Sequence, residues 1–206
     1  MEILSQKIIR IPFKAILLSL VLCCGSMAAF SQERLFDVIR NNDNVGMLKA
    51  SSTNTAMGLL LYIESKVKVW AVINIKVNSN QSSLYKDGIL KKAAVLRTVN
   101  GSTKVNNNIL WRPVGYICMK KDGDTVTHKE DIRFSIASLY FTEPVNIAKV
   151  YSETALAFVP LKKTAVHTYE VSLPDGNKNY YTYENGLCTH VKAETDHGIV
   201  YFVARK

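Results

Sequence analysis

The chain has 206 residues, 48% of them apolar and 21% charged, with a formal net charge of +9. It is too apolar and too modestly charged for a disordered protein, and five Pro and ten Gly are too few for a collagen or a low-complexity linker. The length suits one domain or two small ones.

Residues 1–31 have the layout of a secretory signal peptide. Lys7, Arg10 and Lys14 supply a positive start, and residues 15–24 are an uncharged, largely apolar run. Ala29 and Ser31 then put small side chains at −3 and −1 of a cut before Gln32. The apolar run is shorter than the ~20 residues of a comfortable bilayer span. Two other readings stay open. One is an uncleaved anchor. The other is lipid modification at Cys23 or Cys24, to which Leu22 and Cys23 as preceding residues are a poor fit. Cleavage removes Lys7, Arg10, Lys14 and Glu2 and lowers the net charge from +9 to +7. It leaves Cys118 and Cys188. In an oxidising compartment they form one disulfide or stay two separate half-buried thiols, and their spacing does not choose.

In residues 32–206 strand signals dominate. Residues 35–39 and 45–50 flank Asn41-Asn42-Asp43-Asn44, which reads as a hairpin. A long strand is predicted over 58–68. Between 67 and 77, Val67, Val69, Ala71, Ile73, Ile75 and Val77 alternate with Lys68, Asn74 and Lys76, with Trp70 and Val72 as interruptions. That alternation predicts a strand with one face for a core and one for water. Asx-Gly pairs follow at Asp87-Gly88, Asn100-Gly101, Asp122-Gly123, Asp175-Gly176 and Asn185-Gly186, each suited to a tight turn. Strands are predicted between them at 83–85, 89–99, 109–111, 116–119, 125–128, 164–173, 180–183, 187–193 and 199–203. Asn106-Asn107-Asn108 reads as a loop tip. Residues 132–140 fit either a strand start or one helical turn, ended by Pro144. No internal repeat or linker divides the chain, so 32–206 reads as one antiparallel β domain.

Ten to twelve short-looped strands predict an all-β fold: a single antiparallel, strongly curved sheet or open half-barrel, with at most one short helix. Five segments in order carry a family resemblance. They are the opening 35–48, Tyr85-Lys86-Asp87-Gly88-Ile89-Leu90, Leu139-Tyr140-Phe141-Thr142-Glu143-Pro144, Val150-Tyr151-Ser152-Glu153, and Leu173-Pro174-Asp175-Gly176. Together they resemble a family of exported bacterial proteins classed as a domain of unknown function, across the whole of 32–206. The layout is similar to the periplasmic half-barrels that include the Lol-type lipoprotein carriers. The resemblance implies a fold and export, and assigns no residue a role.

Catalytic signatures are absent. There is no Gly-x-Ser-x-Gly elbow, no Ser-x-x-Lys, no catalytic-cysteine pattern and no phosphate-cradling glycine loop. His190 and His197 could approach across the last hairpin near Glu194, but no zinc-type spacing is present. No metal, cofactor or catalytic residue is expected, and the protein is expected to be non-enzymatic. One enzymatic alternative pairs Glu143 with Glu153 if the intervening loop folds back. Ser152-Glu153 otherwise reads as a surface pair. The lysines are spread over turns and strand edges, which favours a solvated surface over a nucleic-acid site. Tyr180, Tyr181 and Tyr183 cluster in one strand, as β-propensity alone would allow.

The leading expectation is an exported protein, periplasmic or extracellular, that binds an apolar or amphipathic ligand on the concave sheet face. Leu59, Leu61, Val69, Trp70 and Ile73 are the candidate lining, although core packing explains them equally well. The alternative is a structural or partner-binding envelope protein with a filled core. An outer-membrane barrel fits least, because charges interrupt both faces of several strands and the C-terminus lacks an aromatic. After cleavage nothing is left to span a membrane as a helix.

Overall fold

In the computed structural model, residues 31–70, 74–195 and 198–205 are described; residues 1–30, on which the predicted signal peptide falls, and Ile73 and His197 lie outside them. Fourteen strands run in chain order. They are β1 (Ser31–Arg40), β2 (Asp43–Thr55), β3 (Gly58–Trp70), β4 (Asn74–Lys86), β5 (Ile89–Val99), β6 (Ser102–Arg112), β7 (Gly115–Met119) and β8 (Thr125–His128), then β9 (Lys149–Ser152), β10 (Ala157–Ala165), β11 (Thr168–Ser172), β12 (Lys178–Glu184), β13 (Leu187–Thr195) and β14 (Gly198–Ala204). They form one antiparallel sheet in the order β8-β7-β6-β5-β4-β3-β2-β1-β14-β13-β12-β11-β10-β9. Every neighbour in the sheet is a neighbour in the chain, except that β1 pairs with β14. The sheet does not close: β8 and β9 are its edges.

Alternation builds the inner face. Phe36, Val38, Leu48, Ala50, Leu61, Ile63 and Tyr85 are buried on one side of β1–β4. Asp37, between Phe36 and Val38, points the other way and pairs with Arg205. Register shifts at Val38/Ile39, Leu84/Tyr85, Arg97/Thr98, Lys163/Ala165 and Thr182/Tyr183 bend the sheet further.

Residues 129–148, which join the two edge strands, run inside the curve. A 3-10 helix (Ile136–Tyr140) lies in the middle, and Ile132, Ala137, Leu139, Tyr140 and Phe141 are buried. The strands grip this inner segment through its backbone. Leu90 N–H donates to Ile132 O, Tyr151 N–H to Phe134 O, Tyr183 Oη–H to Leu139 O and Glu143 N–H to Gly186 O, at 2.8–3.1 Å. Tyr140 packs edge-on against Phe36 and Tyr181. Side chains bridge the open seam. His128 Nε2–H of β8 donates to Leu156 O at 2.7 Å, and its ring stacks edge-on with Tyr151 of β9. The 3-10 helix is the only helix among the described residues, and none there is long and apolar enough to cross a membrane.

The all-β antiparallel expectation holds, with two or more strands beyond the predicted ten to twelve. Three local readings are corrected. The single strand over 67–77 is the end of β3 and the start of β4, which pair Val67 with Val77 and Val69 with Ile75. The single strand over 164–173 is split between β10 and β11 by a turn at Val166-His167, where His167 has φ 54°. Asn106-Asn107-Asn108 is not a loop tip but lies within β6, because buried Asn107 caps two carbonyls of the β9–β10 connection.

Candidate functional site

One rim of the barrel carries the turns β2–β3, β4–β5, β6–β7, β10–β11 and β12–β13. A cleft of about 560 Å³ opens there, between the ends of β1–β4 and the inner segment. The turns 55–58 and 86–88 form its lip, and Leu59, Leu61, Phe134 and Phe141 line its apolar side. One close approach fixes the lip. Gly58 sits at φ 131° so near β4 that a Cβ would lie 2.0 Å from Tyr85 O. Only glycine combines that conformation with that contact.

The floor is polar. Tyr85 Oη–H donates to Ser135 Oγ at 2.8 Å, and Ser138 Oγ–H donates to Tyr85 Oη at 3.3 Å. Burial raises the Tyr85 phenol, so it stays protonated. Gln32, Lys86 and Arg133 stand at the edge. The space offers an apolar wall, a neutral hydroxyl floor and a margin that sets Lys86 and Arg133 beside Asp87.

Behind the floor, two residues along β4 from Tyr85, Ser83 meets Glu153. Glu153 is fully buried rather than part of a surface pair. Its Oε1 accepts from Ser83 Oγ at 3.0 Å, and its Oε2 has no partner at bonding distance. Desolvation drives its pKa up; Ser135, its own backbone, Ser83 and Gln81 temper the rise. Asn107 Nδ2 donates to Glu153 O and Thr154 O at 3.0 and 2.8 Å and locks the loop.

Glu143 belongs to a different cluster. It accepts from Tyr169 Oη at 2.8 Å and pairs with His167 Nδ1 at 3.0 Å. Burial works to raise its pKa, but the His167 and Tyr169 hydrogen bonds outweigh it and hold the carboxyl low. Glu143 and Glu153 share no hydrogen-bond partner, so the structure does not assemble the carboxylate pair.

Of the candidate lining residues, Leu59 and Leu61 lie in the cleft. Val69 is half-buried toward the opposite end of β3. Trp70 ends that strand, its side chain lying outside the described residues, as does Ile73. Cys118 and Cys188 are free buried thiols, not a disulfide. Cys118 Sγ on β7 lies 3.3 Å from Tyr151 Oη on β9, across the seam, while Cys188 on β13 bonds His190 O. Burial pushes the Cys188 thiol up to about 12. His190 is exposed beside Thr189, and no group of three metal-ligating side chains occurs among the described residues. Sequence reasoning missed Phe134, Ser135, Ser138 and Phe141. The apolar density before Pro144 was the available signal, and it was ambiguous because the segment is neither regular helix nor strand.

A curved, open antiparallel barrel filled by its own chain defines the class: this is a β-barrel-like protein. The chain belongs to the DUF6134 family, a domain of unknown function, whose match spans residues 36–206. It is similar to the crystal structure of a beta-barrel-like protein of domain of unknown function DUF1849 from Brucella abortus. The TM-score is 0.51 at 11% identity, covering 86% of this chain and 96% of that one. At that identity the likeness is one of fold. No curated protein matches the chain.

Proposed function

We propose that the protein is an exported, non-enzymatic binding protein that holds one amphipathic molecule in the rim cleft. The observation that carries this reading is the lining: Leu59, Leu61, Phe134 and Phe141 beside the Tyr85 and Ser138 hydroxyls, with Lys86 and Arg133 at the edge. Sites for small ligands combine apolar walls with a few placed polar groups in this way. A hydrocarbon chain would lie against the wall and a polar head would meet the margin of Lys86, Asp87 and Arg133. The concave sheet face is not the binding surface in this reading, because the inner segment covers it.

Native mass spectrometry and solvent extraction of the purified protein test the reading. A co-purifying amphipathic molecule is expected, and a fluorescent fatty acid should bind and be weakened roughly tenfold by Leu59→Asp. Ligand-free protein that ignores the probe would overturn it. The filled interior favours a second reading, a structural or partner-binding envelope protein. In-cell lysine cross-linking to one defined partner would support that one.

A further inference from the structure

Resting on the binding reading above, we infer that the head of the bound amphiphile is neutral and hydroxylated, and that it gives a hydrogen bond to the cleft floor. The observation is the direction in which the floor's own hydrogen bonds run. Ser138 Oγ–H donates to Tyr85 Oη at 3.3 Å, and Tyr85 Oη–H donates to Ser135 Oγ at 2.8 Å. The Ser135 hydroxyl is bonded in turn to the Glu153 carboxyl, which also accepts from Ser83 at 3.0 Å. The chain leads one way, from the cleft to a carboxyl on a residue only 1% exposed. Each hydroxyl has a single proton, and each has committed it inward.

What the floor has left is lone pairs. Ser138 Oγ uses one on the Ser135 N–H at 3.3 Å, and Tyr85 Oη uses one on Ser138. One remains on each oxygen. Tyr85 and Ser138 both line the cleft. Thr55 on the lip is committed in the same way, its hydroxyl donating to Gly58 O at 2.8 Å. The floor therefore accepts and does not donate. A hydroxyl on the ligand matches it. A carboxylate brings acceptors to acceptors, and an ether leaves the floor oxygens stripped of water and without a donor. The margin selects the same head. Lys86 and Arg133 stand beside Asp87, and Arg133 is already paired with Asp131 at 3.2 Å. Mixed charges of this kind suit a neutral group that both donates and accepts. A cleft of about 560 Å³ takes one such molecule, with a single chain and a small head.

The test is isothermal titration of the purified protein with probes that share one chain length: monodecanoylglycerol, its di-O-methyl ether, decanoate and decanol. Monodecanoylglycerol should bind roughly tenfold more tightly than its methylated form and than decanoate. The tighter of monodecanoylglycerol and decanol tells a glyceride from a plain alcohol as the source of the hydroxyl. Tyr85→Phe/Ser138→Ala should bring the glyceride and its methylated form within about twofold of each other, with the methylated form bound as by the wild type. Equal wild-type binding of the two forms, or tighter binding of decanoate, overturns the inference and leaves the binding reading standing. A preference that survives in the double variant overturns it too, because the hydroxyl then meets another group. Binding by none of the probes overturns both readings. The wild-type comparison decides the matter even where the double variant fails to fold.

Discussion

Ser83 Oγ stands 3.0 Å from Glu153 Oε1 in a pocket where neither residue is more than 1% exposed. The contact spans seventy positions of sequence. It ties the β9–β10 loop to the centre of the opposite wall. The carboxyl's neighbours are Ser83, Gln81 and Ser135, with Tyr85 and Tyr151 nearby.

The folded protein therefore holds the Glu153 proton above the pH at which the unfolded chain releases it. The Glu153 contribution to stability is complete below about pH 4.5 and falls as pH rises through the interval up to the folded pKa, by roughly 1.4 kcal/mol per pH unit of that interval. Glu153→Gln keeps an acceptor for Ser83 and cannot ionise. Thermal melts between pH 4 and 8 should show the wild type losing stability relative to this variant. Parallel curves would mean that the carboxyl is ionised in the fold.

Asn107 supplies the other half of that lock. Asn107→Ala leaves the Glu153 and Thr154 carbonyls without their donor. Urea unfolding should register a loss of roughly 2–4 kcal/mol. Amide exchange should quicken first in residues 153–156, ahead of the rest of the sheet.

Gly58 and Gly115 both stand at positive φ against a neighbouring carbonyl, at 2.0 Å from Tyr85 O and 2.1 Å from His128 O for a notional Cβ. Alanine at either site should cost about 2 kcal/mol or more in urea unfolding. Gly88→Ala has open space around it and carries only the backbone cost, so it should be milder. Equal effects at all three positions would show that the close approach does not matter.

The thiols should be inert. Cys118 and Cys188 are buried with raised pKa values. A thiol reagent at pH 8 should label neither until the protein is denatured, and both afterwards. A non-reducing gel should show no intramolecular bridge.

Turn chemistry made much of the sheet legible in the sequence. Asn100-Gly101 and Asn185-Gly186 turn in the left-handed conformation that their residue types tolerate. Val166-His167 carries no such marker, so the turn between β10 and β11 was unreadable. The alternation from 67 to 77 misled for a geometric reason. Val67 faces Val77 and Val69 faces Ile75, so odd-numbered residues share the inner face on both arms of the hairpin. A pattern that survives a reversal of direction cannot reveal the reversal. The cleft was legible only in Leu59 and Leu61. Its other half comes from the inner segment, whose irregular backbone is held by tertiary hydrogen bonds rather than by local periodicity.

The sheet is broken between β8 and β9, which one connection joins, and continuous between β1 and β14, the first and last strands. Arg205 N–H reaches Leu35 O at 2.8 Å across that pairing. The circumference thus has no privileged starting strand in space. It also means that the first strand made must wait for the last before its second edge is covered.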